Sequence, residues 1–369
     1  MQGAAEALTT TPSTSPGAST LARGMDLEEL ESLAREKLDT GFYDYIAGGS
    51  EDEATLVDNE AAWARRRLRP RVLRDVETVD TSTTILGQRV KSPIGIAPMA
   101  MQHRACDEGP VATARGAAKA GALFVMGLFG AGSASEVAAV AGDAPRWLQV
   151  YVMKDRQRTE AAIARSVEQG YHAVVLTVDV VRQGNRRRDV RNSWAFLQSD
   201  GKIEDPNEVF DHALTFDHIE WFASHAGVPV VVKGVLRGDD AAACIEAGAA
   251  GVVVSNHGGR QLDGAISSAD ALSDVVQGVD GRAEVFVDGG IRRGRHVIEA
   301  IAMGARAVMV GRPIMWGLVV DGQRGVANVL EGLQNELERA MALCGVRRID
   351  EIDASLLAPS SLDGRGFPR

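Results

Sequence analysis

The sequence predicts a (β/α)8 barrel, a TIM barrel, with extra helices at its N-terminal side. Eight short apolar runs follow Pro93, alanine-rich stretches of helical length separate most of them, and polar or glycine residues stand at the C-terminal end of nearly every run. A doubly wound open sheet is the alternative, but no G-x-G-x-x-G follows the first run to support it.

Taken in order, residues 1–24 are rich in Ala, Thr, Ser, Pro and Gly and lack both a basic start and an apolar core. They read as a disordered tail rather than a secretory signal. Residues 25–369 then form a single domain, which the length allows. Asp26 can cap a helix through Leu27, Leu30, Leu33 and Ala34. A second helical piece around Phe42–Ile46 carries Tyr43 and Tyr45. Gly48-Gly49-Ser50-Glu51-Asp52-Glu53 is a break before another helix start. The expected strands are Ile94–Ala97, Leu123–Met126, Trp147–Val152, Ala173–Val178, Val230–Val232, Gly251–Val254, Val285–Val287 and Ala307–Val310. Gly109–Ala120, Thr159–Gln169, Asp239–Ala247 and Arg295–Met303 are helices between them. The interval from Arg182 to Pro229 is too long for one helix, and its polar stretch Ser193–Asn207 points to a mobile active-site loop over about 188–212.

The net charge of −10 argues against nucleic acid and against an anionic membrane surface as partners. A local basic pocket remains compatible with it, and Arg186-Arg187-Arg188 is either part of one or a solvated loop. No run is long and apolar enough to span a bilayer. Cys106, Cys244 and Cys344 are far apart and odd in number, without metal-ligand or disulfide spacing. No metal is expected, and a reducing cytoplasm is the simplest compartment.

The chemistry concentrates after the sixth run, in Ser255-Asn256-His257-Gly258-Gly259-Arg260-Gln261-Leu262-Asp263. A histidine can take a proton near neutral pH, and an arginine can hold a carboxylate through two parallel hydrogen bonds. The glycines allow a tight turn or the close approach of a flat ligand. The set suits proton removal from a small acid beside a planar cofactor. After the last two runs, Asp288-Gly289-Gly290 with Arg292 and Gly311-Arg312 offer backbone N–H groups and guanidinium groups to a phosphate monoester. Lys233, at the end of Val230-Val231-Val232, needs an acceptor to stay charged; a Schiff-base lysine is one reading.

The 255–263 string resembles the active-site segment of the FMN-dependent 2-hydroxy acid oxidase and dehydrogenase family, the glycolate oxidase, lactate oxidase and mandelate dehydrogenase type. The likeness runs from about Asp26 to Ile352 through Phe42-Tyr43-Asp44-Tyr45, Ala97-Pro98-Met99-Ala100-Met101-Gln102, Gln149-Val150-Tyr151, Thr177-Val178-Asp179, Gly184-Asn185-Arg186-Arg187 and Asp288-Gly289-Gly290-Ile291-Arg292. It implies FMN, held by Pro98, Met99, Ala100, Gly127, Gln149, Thr177, Lys233, Ser255, His257, Asp288, Gly290, Arg292, Gly311 and Arg312. Lys233 would stabilise the negative charge of the reduced ring rather than form a Schiff base. The resemblance further implies His257, Asp179, Tyr151 and Tyr45 as catalytic residues, and Tyr45, Tyr151, Arg186, Arg260 and Phe129 around the substrate. An (S)-2-hydroxy acid would lose its hydroxyl proton to His257 and its α-hydrogen to flavin N5, giving the 2-oxo acid, with oxygen or another electron acceptor closing the cycle. Oxidation of a C–N or peptide-derived substrate on the same site, or an FMN-dependent isomerisation, are the alternatives. A homo-oligomer, tetramer or larger, is the expected assembly.

Departures from the family pattern fall on the substrate side. Gly127 stands where many members have serine, Phe129 where glycolate oxidase has tryptophan, Val181 for a common proline, Gln183 for an apolar residue and Met99 for a frequent threonine. Phe129, Met153 and Gln183 are expected to shape a pocket for a larger, mandelate-like side chain.

Overall fold

The computed structural model describes residues 26–128, 134–193 and 209–359. The expected tail, Phe129 and the polar core of the 188–212 loop lie outside them.

Alternating patterns produce the expected elements. Helix α1 (Leu27–Lys37) starts where Asp26 accepts a hydrogen bond from the Glu28 N–H, and α2 (Thr40–Ala47) where Asp39 accepts from Phe42. Helix α3 (Ala54–Arg65) follows the Gly-Gly break. A hairpin, β1 (Thr83–Ile85) and β2 (Gln88–Val90), was not foreseen; its only buried side chains are Ile85 and Val90, too few to show a strand period. Eight parallel strands then close on themselves: β3 (Ile94–Ile96), β4 (Phe124–Gly127), β5 (Arg146–Val150), β6 (Val174–Thr177), β7 (Val230–Val235), β8 (Gly251–Val254), β9 (Glu284–Val287) and β10 (Ala307–Val310). Each coincides with an expected run to within a few residues. The barrel fold is therefore as the sequence predicts.

The barrel strands alternate between two cores. Val174, Leu176, Val230, Val232, Val252 and Val254 pack outward against the helices. Val125, Trp147, Val175, Val231, Val253, Phe286 and Met309 pack together inside, where Trp147 meets Phe286 edge to face at 5.4 Å between ring centroids. Ile85 and Val90 join this inner cluster, so the hairpin closes the N-terminal end of the barrel. The inner layer is thus apolar and filled, and ligands are left the other end.

The chain after β10 runs into a 32-residue helix, Arg312–Leu343, interrupted at Asp321 and Gly322, where the dihedrals leave the helical region. The structure brings order to both edges of the expected mobile loop: Arg187–Arg191 form a short helix, and Phe210 pairs with Met153 in an antiparallel bridge.

Candidate active site

A period of two carries each strand from the inner core into the site. Two residues beyond Val125, Trp147, Val175, Val231, Val253, Phe286 and Met309 stand Gly127, Gln149, Thr177, Lys233, Ser255, Asp288 and Gly311. Gly127, Gln149, Lys233, Asp288 and Gly311 of this ring floor a cavity at the C-terminal mouth of the barrel, with an empty volume of about 1320 Å³ including its open mouth. Of the expected residues, Tyr45, Pro98, Met99, Ala100, Gly127, Gln149, Tyr151, Arg186, Lys233, His257, Arg260, Asp288, Gly290, Arg292, Gly311 and Arg312 line it. Thr177, Asp179 and Ser255 stand behind that wall and bond to residues in it. Phe129 lies outside the described residues.

His257 occupies a strained backbone: its φ is +59°, followed by +66° and +74° at Gly258 and Gly259. Its N–H donates to Ser255 Oγ at 3.1 Å, and its Nδ1 lies 3.0 Å from Asp179 Oδ1. With Nδ1–H given to the carboxylate, Nε2 carries the lone pair. Burial holds the imidazole below its ordinary range against the opposing pull of Asp179. Burial also works to raise the Asp179 carboxyl, but His257 and Lys233 beside it hold it below the usual range. Gly234 makes room for this pair: its φ is +111°, and a Cβ there would lie 2.6 Å from Asp179 Cβ.

Lys233 Nζ donates to Ser255 Oγ at 2.8 Å and faces Asp288 Oδ2 at 3.3 Å. Burial disfavours its charge, yet Asp288 and Asp179 outweigh burial and keep it protonated. A charged, hydrogen-bonded ammonium does not suit a Schiff base. Gln149 donates its side-chain amide to Thr177 Oγ1 at 3.0 Å.

Cations dominate the opposite walls. Arg260 donates to the carbonyls of Tyr45 and Gly48 and lies over the Tyr45 ring at 4.9 Å. Arg186 donates to the Arg260 carbonyl. Burial, then the nearby Arg260, pushes Arg186 down to about 10, and burial with Arg260 and Arg292 pushes Arg312 down to about 9. Half-buried guanidinium groups facing a single lining carboxylate make the cavity an anion site. Of the arginine triplet only Arg186 belongs to this basic pocket. Arg187 pairs with Asp52, and Arg188 with Asp44 and Glu53, so these two act as surface ion pairs between α2, the Gly-Gly break and the helix at Arg187–Arg191.

One expectation on substrate-side residues changes. Met153 is buried beneath the wall and pairs with Phe210 rather than lining the cavity. Phe210 takes its place there, stacked on the Tyr151 ring at 4.4 Å. Val180 and Gln183 complete that side. Phe210 sits in a polar stretch, where a single aromatic beside Val209 is the only sequence signal.

Site and fold define a barrel with a cationic cavity at its C-terminal mouth beside a paired histidine and aspartate. Residues 34–359 match the family described as FMN-dependent dehydrogenase. The chain is 45% identical over 356 residues to an L-lactate oxidase of Nostoc sp., covering 90% of this chain and 98% of that one. It is 43% identical over 349 residues to a peroxisomal (S)-2-hydroxy-acid oxidase of Oryza sativa subsp. japonica, covering 90% and 95%. A solved mandelate oxidase superposes with a TM-score of 0.84 at 41% identity, covering 90% of this chain and 97% of that one. The chain belongs to the FMN-dependent dehydrogenase family. It is an FMN-dependent oxidoreductase that acts on 2-hydroxy acids. No helix among the described residues is long and apolar enough to cross a membrane.

The cavity residues suit FMN. Pro98, Met99 and Ala100 offer an apolar wall, Gln149 and Lys233 a polar edge, and Arg292, Arg312 and the Gly289–Gly290 turn a cationic end. Gly311 leaves open space, since a Cβ there would meet only Met99 Sδ at 3.9 Å, and Asp288 Oδ1 is buried without a partner among the described residues.

Proposed function

We propose that this enzyme oxidises (S)-2-hydroxy acids whose side chains are larger than methyl, aromatic ones included, with His257 as the base. The observation that carries this reading is the His257–Asp179 contact at 3.0 Å at the wall of a cavity that Arg186 and Arg260 also line. Arg260 and Arg186 bind the substrate carboxylate, and the Tyr45 and Tyr151 phenols complete its hydrogen bonds. Burial, with Asp179 nearby, keeps the Tyr151 phenol protonated well above its usual range, so it can act only as a neutral donor or acceptor. His257 Nε2 takes the hydroxyl proton, and Asp179 stabilises the imidazolium that results. Bound FMN supplies the acceptor for the α-hydrogen and its two electrons, to be reoxidised by oxygen or another acceptor. Lys233, Gln149, Thr177 and Ser255 hold its polar edge, while Asp288, Gly290, Arg292, Gly311 and Arg312 hold the ribityl phosphate.

The flat Phe210–Tyr151 stack, with Val180 and Gln183, supports a large side chain in the substrate. A base beside two carboxylate-binding arginines supports oxidation of an acid over isomerisation of a diphosphate. Exposed Val57, Leu262 and Ile266 supply apolar surface for a homo-oligomer of tetramer size or larger. Three unpaired cysteines support a reducing compartment such as the cytoplasm.

The test is the visible spectrum of the purified protein before and after anaerobic addition of single (S)-2-hydroxy acids. Bleaching by mandelate faster than by lactate is the expected result. A spectrum unchanged by every acid, or a lactate-only response, overturns the reading.

A further inference from the structure

Helix α3 contributes no residue to the cavity wall, yet its buried face carries three hydrogen-bonding side chains beside Ala62. Thr55, Asn59 and Trp63 recur every four residues along one side, with 1%, 1% and 0% exposure. Each is tied to a segment that carries the site. The Thr55 N–H donates to Asp263 Oδ1 at 2.9 Å, and the Thr55 hydroxyl to the Ala265 carbonyl at 3.2 Å. Asn59 and Asn256 exchange two side-chain hydrogen bonds of 2.8 Å. Asn256 Oδ1 also accepts from Gly259 N–H, which fixes the turn after His257. Trp63 Nε1 donates to the Gly289 carbonyl at 2.8 Å. The Trp63 ring stacks on His296, whose Nδ1 accepts from the Arg292 N–H at 3.2 Å.

Glycines let the helix approach this closely. A Cβ at Gly259 would lie 2.6 Å from the Leu56 nitrogen, and one at Gly290 would lie 2.0 Å from the Asn59 carbonyl oxygen. A helix that served only to cover the barrel would bury apolar groups at these positions, because each buried amide or indole N–H costs stability unless it is paired.

We propose that α3 is a positioning element whose Thr55–Asn59–Trp63 stripe fixes the base loop 255–263 and the phosphate-side turn 288–292 in one register. Asn59 and Trp63 thereby set both the affinity for FMN and the pH dependence of the base from outside the cavity. The pH arm rests on His257 being the base, whereas the FMN arm does not.

The test uses the full-length protein with Trp63→Phe, Asn59→Ala, Asn256→Ala and the Asn59→Ala/Asn256→Ala double variant. Asn59→Ser is the milder substitution should Asn59→Ala fail to fold. W63F keeps an aromatic ring but loses the Nε1 donor together with part of the indole's volume, so the FMN dissociation constant, read from flavin fluorescence, should rise about three- to tenfold with KM for the acid unchanged. N59A should let water reach the base loop and move the acid limb of kcat/KM upward, towards an ordinary histidine. The double variant should cost no more than either single one. Weaker FMN binding without any acid limb in the parent enzyme supports the positioning role and removes His257 as the base. FMN affinity and acid limb both unchanged in W63F and N59A, with only a lower unfolding temperature, overturns the proposal.

Discussion

Replacing Asp179 by asparagine isolates the counter-charge of the base. Asp179 Oδ1 lies 3.0 Å from His257 Nδ1, and the asparagine carbonyl can accept the same bond at nearly the same volume. The neutral imidazole therefore keeps its orientation, and the loss falls on the imidazolium formed when the hydroxyl proton is taken. Two opposite charges at this separation attract by about 5 kcal/mol at an effective dielectric of about 20, which bounds the effect from above. A hydrogen bond to a charged group contributes about 1.5–3 kcal/mol net, so kcat should fall roughly 10- to 150-fold. KM should change little, because the proposed carboxylate ligands Arg260 and Arg186 are untouched. The sign of the pH effect also follows. Burial lowers the His257 pKa and Asp179 raises it, so the variant's acid limb should move to lower pH while its plateau drops. Initial rates of 2-oxo acid formation across the pH range measure both quantities. A plateau within about threefold of the parent, or an acid limb moving upward, would refute the assignment of base and partner.

Gly290→Ala should lower the unfolding temperature sharply and abolish FMN retention, since φ is +76° and the new methyl would meet the Asn59 carbonyl at 2.0 Å; Gly311→Ala should fold as the parent does, and equal thermal stabilities of the two variants would contradict this geometry. Phe210→Ala removes a ring stack of about 0.5–1.5 kcal/mol, so kcat/KM for aromatic acids should fall several-fold more than for lactate, and a uniform loss across substrates would speak against a substrate-side role. Burial pushes the Glu299 carboxyl up to about 7 despite Arg295 at 2.6 Å. Its folded pKa exceeds the unfolded one, so the native state binds the proton more tightly. Stability is full below the ordinary glutamate range and falls by about 3 kcal/mol as pH rises through 7. Chemical unfolding at several pH values should show Glu299→Gln gaining on the parent as pH rises from about 4.5 to about 7, and a difference that stays flat across that range would remove Glu299 as its source.

The barrel was legible because β-branched runs end in residues that a core does not tolerate. Gln149, Lys233 and Asp288 interrupt apolar alternation at the same strand end, and that pattern survives without knowledge of any contact. The base loop was legible for the same reason, as His257 and Arg260 follow Val252–Val254 directly. What escaped has a common physical origin. Phe210 reaches the cavity only because a bridge to Met153 turns its segment back, a pairing between positions 57 residues apart that no local period records. Arg187 and Arg188 look identical to Arg186 in sequence, and only the placement of Asp44, Asp52 and Glu53 diverts them to the surface. Nothing in the local sequence of α3 marks Thr55 and Asn59 as buried until the loop after β8 is packed against them.

Asp179 and His257 follow β6 and β8, and Lys233 lies within β7, three successive neighbours in a closed barrel. Their mutual spacing is inherited from the strand ladder itself, whereas Val180, Gln183 and Phe210 belong to the connections beyond it. Variation can therefore be sorted by location before any assay. Libraries confined to those connections should retune which acid is accepted while leaving proton transfer intact, and substitutions within the ladder should degrade turnover for every acid alike. The same division makes this scaffold a favourable starting point for altering chain-length or ring preference by directed evolution, because selectivity and reactivity can be searched separately.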